Sequence, residues 1–376
     1  MEYKSIAKVH YEITAYEKWM EQQEIPVIRA FGVEDVNQVP RAFWPYLGCP
    51  TAFIHLDGME GWTGMYVAEI PPGGSLNPEK HLYEEEIYVL QGRGLTEVGL
   101  REKKQVFEWK EGSLFSPPLN TWHRLVNGTR EPVIFLAITN APLAMDMFHN
   151  PDFIFNCDYE FKDRYAEEEG YFSGEGVMFQ QRKVDIWQSN FVPDAFTVPL
   201  RPAEWKAVKG TSSKVFFSGN MLGGHIFQWP GGIYHKAHYH AGGAIILSLN
   251  SKGYWLMWPD EVGTRPYQSG REDTVIKVNF KPGTVVSPPT RWFHQRFNTG
   301  PEPARQFAIT LHNNIHPFGA ALVLQKGEEG TRTSTLEGGT LIEYKDEDPE
   351  IRIRFEAVLK QDGVQSNMPP EVYQRG

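Results

Sequence analysis

The sequence predicts an all-β protein with two barrels that arose by internal duplication, and with short helical segments at the N-terminus and between the barrels. Three observations lead to this prediction: a repeated segment, a set of short strand-like runs, and an abundance of residues that end strands. The chain has 376 residues, including 35 glycines and 27 prolines. This length suits two domains, and so many turn-forming residues favour short strands over long helices.

The clearest repeat lies late in each half. Residues 112–127 read GSLFSPPLNTWHRLVN, and residues 283–298 read GTVVSPPTRWFHQRFN. Identical residues recur at one constant spacing, and the agreement continues downstream into Glu-Pro and Ala-Ile-Thr. A second pair of matching segments, 70–94 and 229–254, lies upstream in each half. Agreement of this length indicates a duplication.

Short apolar or alternating runs bounded by Gly, Pro or Asn are typical of strands. Such runs occupy residues 64–70, 86–92, 133–139, 224–229, 244–249 and 306–310. Their even spacing favours a sandwich or a closed barrel. Three other segments lack this pattern. We expect a surface helix over residues 14–23, a long irregular connection over 143–215, and a last extended segment over 351–359 (IRIRFEAVL).

These observations divide the chain into five parts. We expect an N-terminal extension over 1–54, a first barrel over 55–145, a linker over 146–209, a second barrel over 210–320 and a C-terminal extension over 321–376. The terminal extensions are long enough to embrace a partner subunit, so we expect a homo-oligomer.

Composition argues against several classes of function. The net charge of −10, without a run of basic residues, disfavours nucleic-acid binding. The two cysteines lie far apart, which disfavours a disulfide framework and suits the cytoplasm. The N-terminus lacks an apolar core, and no apolar stretch approaches the ~20 residues that span a bilayer, so we expect no signal peptide and no membrane contact. Without a P-loop, a dinucleotide fingerprint or a serine nucleophile elbow, we expect no nucleotide, no flavin and no nucleophile.

The repeated segment resembles the second sequence motif of the cupin superfamily. That motif has a Gly, then a Pro, a turn residue, a His and an Asn at fixed spacing, as in residues 112–127. Asn120 and Arg291 stand where the family usually has Gly. The resemblance implies two fused cupin barrels, a bicupin, with metal-binding side chains inside each.

The first cupin motif is altered differently in each half. It usually reads His-x-His followed by a Glu and a Gly. The first half has Glu79-x-His81 followed by Glu85. The second half has His238-x-His240, with Ala244 in the place of the Glu.

Strand geometry allows the second half to hold a metal. Residues i and i+2 of a strand share one face, so His238 and His240 can both point into the barrel, where His294 joins them from a neighbouring strand. Three imidazoles leave open positions for a substrate and O2, by analogy with the facial triad of iron oxygenases. This set favours Fe(II), although Mn(II) or Zn(II) would also bind.

The first half offers a more acidic ligand set, formed by Glu79, His81, Glu85 and His123. Two carboxylates neutralise a divalent ion, and their oxygens favour Mn(II) or Fe(II). The alternative is that Glu79 lies in solvent beside the acidic run 84–86.

Four further residues lie next to the motifs. His235 precedes the histidine pair by an odd number of residues, so we expect it to support the ligands or to line the rim. Arg124, Arg291 and Arg296 flank the second motif and could clamp a substrate carboxylate. A surface role is the alternative for each arginine.

Three hypotheses of function follow from the resemblance. The first is an Fe(II)-dependent dioxygenase that acts on a small metabolite, such as an aromatic or carboxylated one, because the layout resembles gentisate and hydroxynaphthoate dioxygenases. The second is a non-oxidative Mn or Zn enzyme (a hydrolase, isomerase or lyase), because Glu79-x-His81 is similar to the site of ureidoglycine aminohydrolase. The third is a bicupin that binds a small molecule without catalysis.

Overall fold

Strands dominate the computed structural model, which describes residues 13–99, 104–181, 184–217, 219–311 and 331–374. The α-helices of this part are α1 (Ala15–Glu21), α2 (Ala141–Phe148), α3 (Pro151–Asn156) and α4 (Pro349–Asp362). None of the helices in the described part of the chain is both long and apolar enough to cross a membrane.

The strands fall into two series that follow one another along the chain. The first series is β1 (Val27–Ala30), β2 (Gly32–Val33), β3 (Ala42–Trp44), β4 (Cys49–Leu56), β5 (Gly64–Ile70), β6 (Glu85–Gln91), β7 (Arg93–Val98), β8 (Gln105–Lys110), β9 (Leu114–Phe115), β10 (His123–Val126) and β11 (Val133–Thr139). The second series is β12 (Val177–Gln181), β13 (Val184–Gln188), β14 (Phe191–Val192), β15 (Arg201–Pro202), β16 (Thr211–Phe216), β17 (Gly223–Trp229), β18 (Ile245–Ser248), β19 (Gly253–Pro259), β20 (Ile276–Phe280), β21 (Val285–Val286), β22 (Trp292–Asn298) and β23 (Ala304–Thr310).

Each barrel consists of a large sheet and a three-stranded sheet. In the first barrel the large sheet has the order β1-β4-β5-β11-β6-β9-β14, with β3 beside β4, and the small sheet is β10-β7-β8. In the second barrel the large sheet has the order β12-β13-β16-β17-β23-β18-β21-β2, with β15 beside β16, and the small sheet is β20-β19-β22. The repeated order confirms the predicted duplicated all-β fold.

The two halves exchange one short strand each. Strand β2 of the first half pairs antiparallel with β21 in the second barrel, with Gly32 opposite Val286. Strand β14 pairs antiparallel with β9 in the first barrel, with Phe191 opposite Phe115. The exchanged strands cross the predicted domain limits, which stay predictions, and residues 312–320 of the predicted second barrel lie outside the described residues.

Apolar side chains form three clusters: one inside each barrel, and one between the barrels. The cluster between the barrels joins both halves of the chain, through residues such as Met65, Ile138, Leu222, Ile245 and Phe307. Its burial holds the two barrels together, because removing apolar surface from water is the main favourable contribution to folding.

The structure confirms the six predicted strand runs, to within two residues at most ends. The predicted helix over 14–23 is also present as α1, although Tyr16, Trp19 and Met20 bury one of its faces. The predicted irregular connection over 143–215 contains α3 and five strands. Its polar sequence gave no clear period from which those elements could be predicted.

The prediction of an extended segment over 351–359 was wrong, because this segment lies in helix α4. Asp348 caps the helix by accepting a hydrogen bond from the Glu350 amide, and Gly363 ends it in the left-handed conformation. The buried residues of the helix are Ile351, Phe355 and Leu359. Their spacing of four residues is a helical period, which the local alternation in IRIRF concealed.

Candidate metal centres

The first barrel gathers Glu79, His81, Glu85 and His123 in its interior, and all four side chains are buried. Glu79 and His81 lie in the loop between β5 and β6, Glu85 begins β6 and His123 begins β10. The amide of each of Glu79 and His123 donates to the other's carbonyl oxygen at 2.9 Å. These backbone bonds set the register that brings the side chains together.

The distances within this group suit donors that share one ion. His123 Nε2 lies 3.8 Å from a Glu79 oxygen and 3.7 Å from a Glu85 oxygen, and His81 Nε2 lies 3.7 Å from that same Glu85 oxygen. These separations are too long for hydrogen bonds. The donor atoms of His81, Glu85 and His123 all lie within 4.8 Å of one another.

Backbone carbonyls orient both imidazoles of this site. His81 Nδ1 lies 2.8 Å from the Tyr83 carbonyl oxygen, and His123 Nδ1 lies 2.9 Å from that of Thr121. A carbonyl only accepts, so each Nδ1 carries the hydrogen and each Nε2 keeps a lone pair. Both Nε2 atoms are buried without a hydrogen-bond partner. This is the orientation in which histidine binds a metal.

Tyrosines surround the carboxylates of the first site. The Tyr66 hydroxyl donates to Glu85 Oε1 at 2.5 Å, and the Tyr83 ring stacks on His81 at 3.7 Å. Burial, together with the nearby charge of Glu85, raises the pKa of Tyr66 well above its ordinary value. The hydroxyl therefore stays protonated and holds Glu85 in place as a hydrogen-bond donor.

The two carboxylates of the first site differ in acidity. Burial and the neighbouring charge of Glu85 raise the pKa of Glu79 to about 8. Burial also opposes the charge of Glu85, but His123 and His81 outweigh it and lower the pKa of Glu85. Two buried carboxylates this close repel one another, and a divalent cation would relieve that repulsion.

The second barrel gathers His238, His240 and His294 at the equivalent position. Their donor atoms lie within 4.8 Å of one another. Each Nδ1 again faces a backbone carbonyl oxygen: that of Lys236 at 3.2 Å, of Ala241 at 2.6 Å and of Trp292 at 3.1 Å. Nε2 of His238 and of His294 is buried without a partner. The residues present therefore fit a divalent metal in both barrels.

The second site differs from the first in charge, because Ala244 stands where the first barrel has Glu85. The backbone is the same at both positions, since Ser116 Oγ donates to the Glu85 carbonyl at 2.7 Å and Ser287 Oγ donates to that of Ala244 at 2.8 Å. The second site thus lacks a carboxylate but keeps the backbone that would support one.

Cations flank the second site. Burial lowers the pKa of His238 well below its ordinary value, and the positive charge of Lys206 lowers it further. Burial alone lowers the pKa of Arg296 to about 9. The Arg296 guanidinium carbon lies 4.5 Å from the centre of the Trp255 ring. The imidazole of His238 is therefore neutral at pH 7 and available to a metal, in surroundings that are positively charged.

Comparison with known families identifies the fold. Residues 66–139 match the family model described as the cupin domain. They span β5 to β11 and contain the whole first site, and the second barrel repeats the same strand order. The chain therefore has the fold of a bicupin, with a cupin domain over residues 66–139.

Solved structures that align with this chain include those of oxalate decarboxylase. The bicupin aligns with a SENS161-164DSSN mutant of the Bacillus subtilis enzyme at a TM-score of 0.48 and 12% identity, covering 76% of this chain and 78% of that one. It aligns with a structure from work on the Mn(II) centres of Bacillus subtilis oxalate decarboxylase at a TM-score of 0.47 and 12% identity, with the same coverage. No curated protein matches the sequence.

Of the four residues predicted beside the ligands, the bicupin buries two and leaves two near its surface. His235 and Arg296 lie inside the second barrel, with His235 between the rings of Phe227 and Trp229. Arg124 instead pairs with Glu97 at 2.7 Å, and Arg291 with Asp260 at 2.6 Å. The structure does not bring Arg124 or Arg291 to either site, because both side chains point outward to these acidic partners.

Asn120 and Arg291, which replace the usual glycines of the bicupin motif, keep the backbone of the turn. Their φ angles are +52° and +61°, in the left-handed region. Asn tolerates this region well, whereas it is uncommon for a residue as large as Arg. The turn before each ligand histidine is thus conserved in shape without its glycine.

The acidic run 84–86 is buried, contrary to the alternative of a solvated surface. Glu85 faces the first site, while Glu84 points between the barrels and accepts hydrogen bonds from the amides of Met221 and Leu222 at 2.8–2.9 Å. Alternation along β6 sends neighbouring side chains to opposite faces. One face reaches the metal site and the other reaches the contact between the two barrels.

Two polar residues of the sites were missed from the sequence: Lys206 and Tyr66. Lys206 lies in a segment expected to be irregular, and Tyr66 lies in a strand whose aromatic residues are core by default. The spacing that separates Glu79 from His238 also separates Leu47 from Lys206. Extending the internal alignment upstream of the motifs would have drawn attention to Lys206.

Proposed function

We propose that this bicupin is a divalent-metal-dependent enzyme that acts on a small molecule in its second barrel. One observation carries the proposal: every predicted ligand histidine turns Nδ1 to a backbone carbonyl and points Nε2 into its barrel. Buried imidazole nitrogens without partners are costly unless something binds them. Two such clusters in one chain argue for metal binding rather than for a polar core.

The second barrel is the better candidate for catalysis. Its three histidines leave several coordination positions of a metal open, whereas the first barrel offers three clustered donors, Glu79 beside them and a tyrosine that holds Glu85. Open positions are what distinguish a catalytic metal site from a structural one. The first metal would therefore mainly stabilise its barrel.

The charge around the second site favours non-oxidative chemistry by a lyase, hydrolase or isomerase. A bound divalent metal would act as a Lewis acid that polarises a substrate oxygen. Lys206 and Arg296 add positive charge, which stabilises negative charge developing on the substrate. The same positive charge makes a metal harder to oxidise, which disfavours the activation of O2 by electron transfer.

The donor types favour different metals in the two barrels. Glu79 and Glu85 provide oxygen donors in the first barrel, which suit Mn(II). Three imidazoles in the second barrel suit Mn(II), Fe(II) or Zn(II). In the second barrel the histidines hold the metal, while Lys206 and Arg296 attract and orient an anionic group.

An Fe(II)-dependent dioxygenase remains the second candidate, because of one specific feature. Ala244 replaces a carboxylate ligand, so a metal held by three histidines would have room for both a bidentate substrate and O2. Dihydroxy-aromatic acids are the substrates to test for this chemistry.

Metal analysis joined to oxygen uptake tests both candidates. The full chain is purified anaerobically, analysed for metals, and incubated with a panel of small carboxylic acids in an oxygen electrode. Manganese or zinc, with substrate consumed without oxygen uptake, would support the non-oxidative enzyme. Iron with oxygen uptake that His240→Ala abolishes would support the dioxygenase. Absence of metal from both barrels would overturn the proposal and leave a binding protein.

A further inference from the structure

The duplication provides an internal control for the second barrel, because equivalent backbone atoms form the same hydrogen bonds in both halves. The amide of His235 donates to the Arg296 carbonyl at 2.9 Å, and the amide of Leu76 donates to the Leu125 carbonyl at 2.9 Å. His235 and Arg296 therefore occupy the positions of Leu76 and Leu125. All four side chains are buried.

A second equivalent pair shows the same replacement. The amide of Lys236 donates to the Lys206 carbonyl at 2.8 Å, and the amide of Asn77 donates to the Leu47 carbonyl at 2.8 Å. Leu47 is fully buried in the core of the first barrel. Lys206 instead directs its ammonium group to within 3.4 Å of His225 Nε2.

A third pair comes from strand register. In the second barrel Ser248 pairs with Gln306, and in the first barrel Val89 pairs with Phe135. Gln306 faces inward, because Ala308 two residues later packs in the barrel core. The Gln306 amide donates to Ser248 Oγ at 2.9 Å. Another two apolar positions of the first barrel are thus polar in the second.

The interiors of the two barrels therefore differ at these positions. Leucine, valine and phenylalanine occupy these positions in the first barrel, so they offer no polar group to a ligand there. In the second barrel, several buried polar atoms of the described residues have no hydrogen-bond partner: Nε and Nη1 of Arg296, both ring nitrogens of His235, and Oε1 of Gln306.

A buried guanidinium without an anionic partner is costly, and folding alone gives no reason to keep one. No described carboxylate offsets the charge of Arg296, since Ala244 replaces the glutamate of the first barrel and Glu347 lies behind the barrel wall, where it accepts from Gln295. Gln295 and Arg296 are neighbours on one strand and so face opposite sides. Since none of the described residues supplies the negative charge, we expect a bound ligand to supply it.

We propose that the second barrel contains a pocket for the carboxylate group of a small substrate, with Arg296 as its main binding group and His235 and Gln306 beside it. The pocket rests on the proposed function, because it places the substrate next to the three-histidine site. Arg296 and His294 lie two residues apart on β22, on the same inward face, and both lie against the Trp255 ring.

The lining also narrows the class of substrate. Guanidinium binds carboxylate through two parallel hydrogen bonds, so a carboxylic acid fits Arg296 better than a neutral molecule does. Gln306 Oε1 accepts hydrogen bonds, which suits a hydroxyl or amino group on the same substrate. Trp255 and Phe227 flank the guanidinium and limit the volume around it. The expected substrate is a small hydroxy- or amino-carboxylic acid.

Thermal unfolding with malonate as the probe tests the pocket. The full chain should unfold at a higher temperature with malonate, and not with malonamide, its uncharged analogue. Arg296→Met should weaken malonate binding by at least about 30-fold, which corresponds to the loss of one buried ionic contact. The same variant should be as stable as the parent without ligand, or more stable, because it removes a buried unpaired charge.

The matched control is Arg124→Met, which alters an arginine beside the ligand histidine of the first barrel. This arginine pairs with Glu97 near the surface, so the variant should bind malonate as the parent does. Arg296→Lys keeps the positive charge but loses the planar guanidinium that donates two parallel hydrogen bonds. This variant should therefore bind malonate more tightly than Arg296→Met but less tightly than the parent.

Three results would overturn the pocket: unchanged malonate binding in Arg296→Met, a loss of stability in that variant without ligand, or equal stabilisation by malonamide or by inorganic phosphate. The metal content separates this failure from failure of the proposed function. Arg296→Met should keep its metal, and the metal-free parent should still bind malonate. If the parent contains no metal but still binds malonate through Arg296, only the proposed function is rejected.

Discussion

The hydroxyl of Tyr234 donates a hydrogen bond to the carboxyl group of Glu347, which lies 113 residues further along the chain. The Gln295 amide donates to the other oxygen of this carboxyl group at 3.0 Å. Through these contacts the C-terminal segment is held against the outer face of the second barrel.

The stability of this contact should depend on pH. Burial raises the pKa of Glu347 to about 8, whereas a glutamate in the unfolded chain titrates near 4.3. The folded state keeps a proton that the unfolded state releases, so the free energy of unfolding should fall as the pH rises from about 4 to about 8. The fall is about 5 kcal/mol at most. Glu347→Gln should remove this part of the pH dependence in denaturant titrations, while Glu350→Gln should not.

Glu84 should be important for the contact between the barrels. It accepts from two backbone amides of the second half and from Arg164 Nη2 at 2.9 Å. Glu84→Ala leaves these buried donors without a partner, which costs about 3 kcal/mol. Urea unfolding should register this loss, whereas the exposed Glu108→Ala should change stability by less than about 0.5 kcal/mol. Equal effects of the two variants would contradict the inferred role of Glu84.

His294→Ala should remove the metal from the second barrel without unfolding the chain. Only two histidines would then remain in that cluster, while the predicted ligands of the first barrel, His81, Glu85 and His123 among them, stay intact. Elemental analysis should register the loss of one metal equivalent, with circular dichroism unchanged. His149→Ala, which alters an exposed histidine outside both clusters, is the control. Full metal content in His294→Ala would reject this site.

Glu79→Gln should weaken metal binding in the first barrel alone. The substitution keeps the shape of the side chain but removes one of two negative charges that would face the ion. We expect the dissociation constant of this metal to rise about 10- to 100-fold, measured by competition with a chelator. Glu108→Gln serves as the control at an exposed position. An unchanged dissociation constant would mean that Glu79 is not a ligand.

The sequence predicts the fold well where residues repeat. The matching segments around His123 and His294 share both spacing and turn residues, and this agreement predicts two barrels of one kind. The same spacing also predicts which ligands gather in each barrel. Glu79, His81, His238 and His240 lie in loops rather than in the predicted strands, and backbone hydrogen bonds to His123 and His294 hold these loops in register.

Prediction from the sequence fails where the surroundings of a side chain depend on residues that are distant along the chain. The run 84–86 resembles a solvated surface, but its burial depends on residues such as Leu222 in the other half. Likewise, Arg296 resembles a surface arginine until the register of β22 sets it on the inward face. Local composition carries no information about such long-range partners.

The exchange of strands β2 and β14 affects how substitutions can accumulate in the two duplicated halves of the chain. Two identical subunits that trade strands form a symmetric dimer, in which every substitution alters both subunits at once. Joined in one polypeptide, the copies keep this interlocked arrangement but accept substitutions singly. One copy can therefore keep apolar residues such as Leu76 and Leu125 in its core, while the other replaces the equivalent residues with His235 and Arg296. Separating them by cutting the chain would deprive each copy of a strand that only the other can supply.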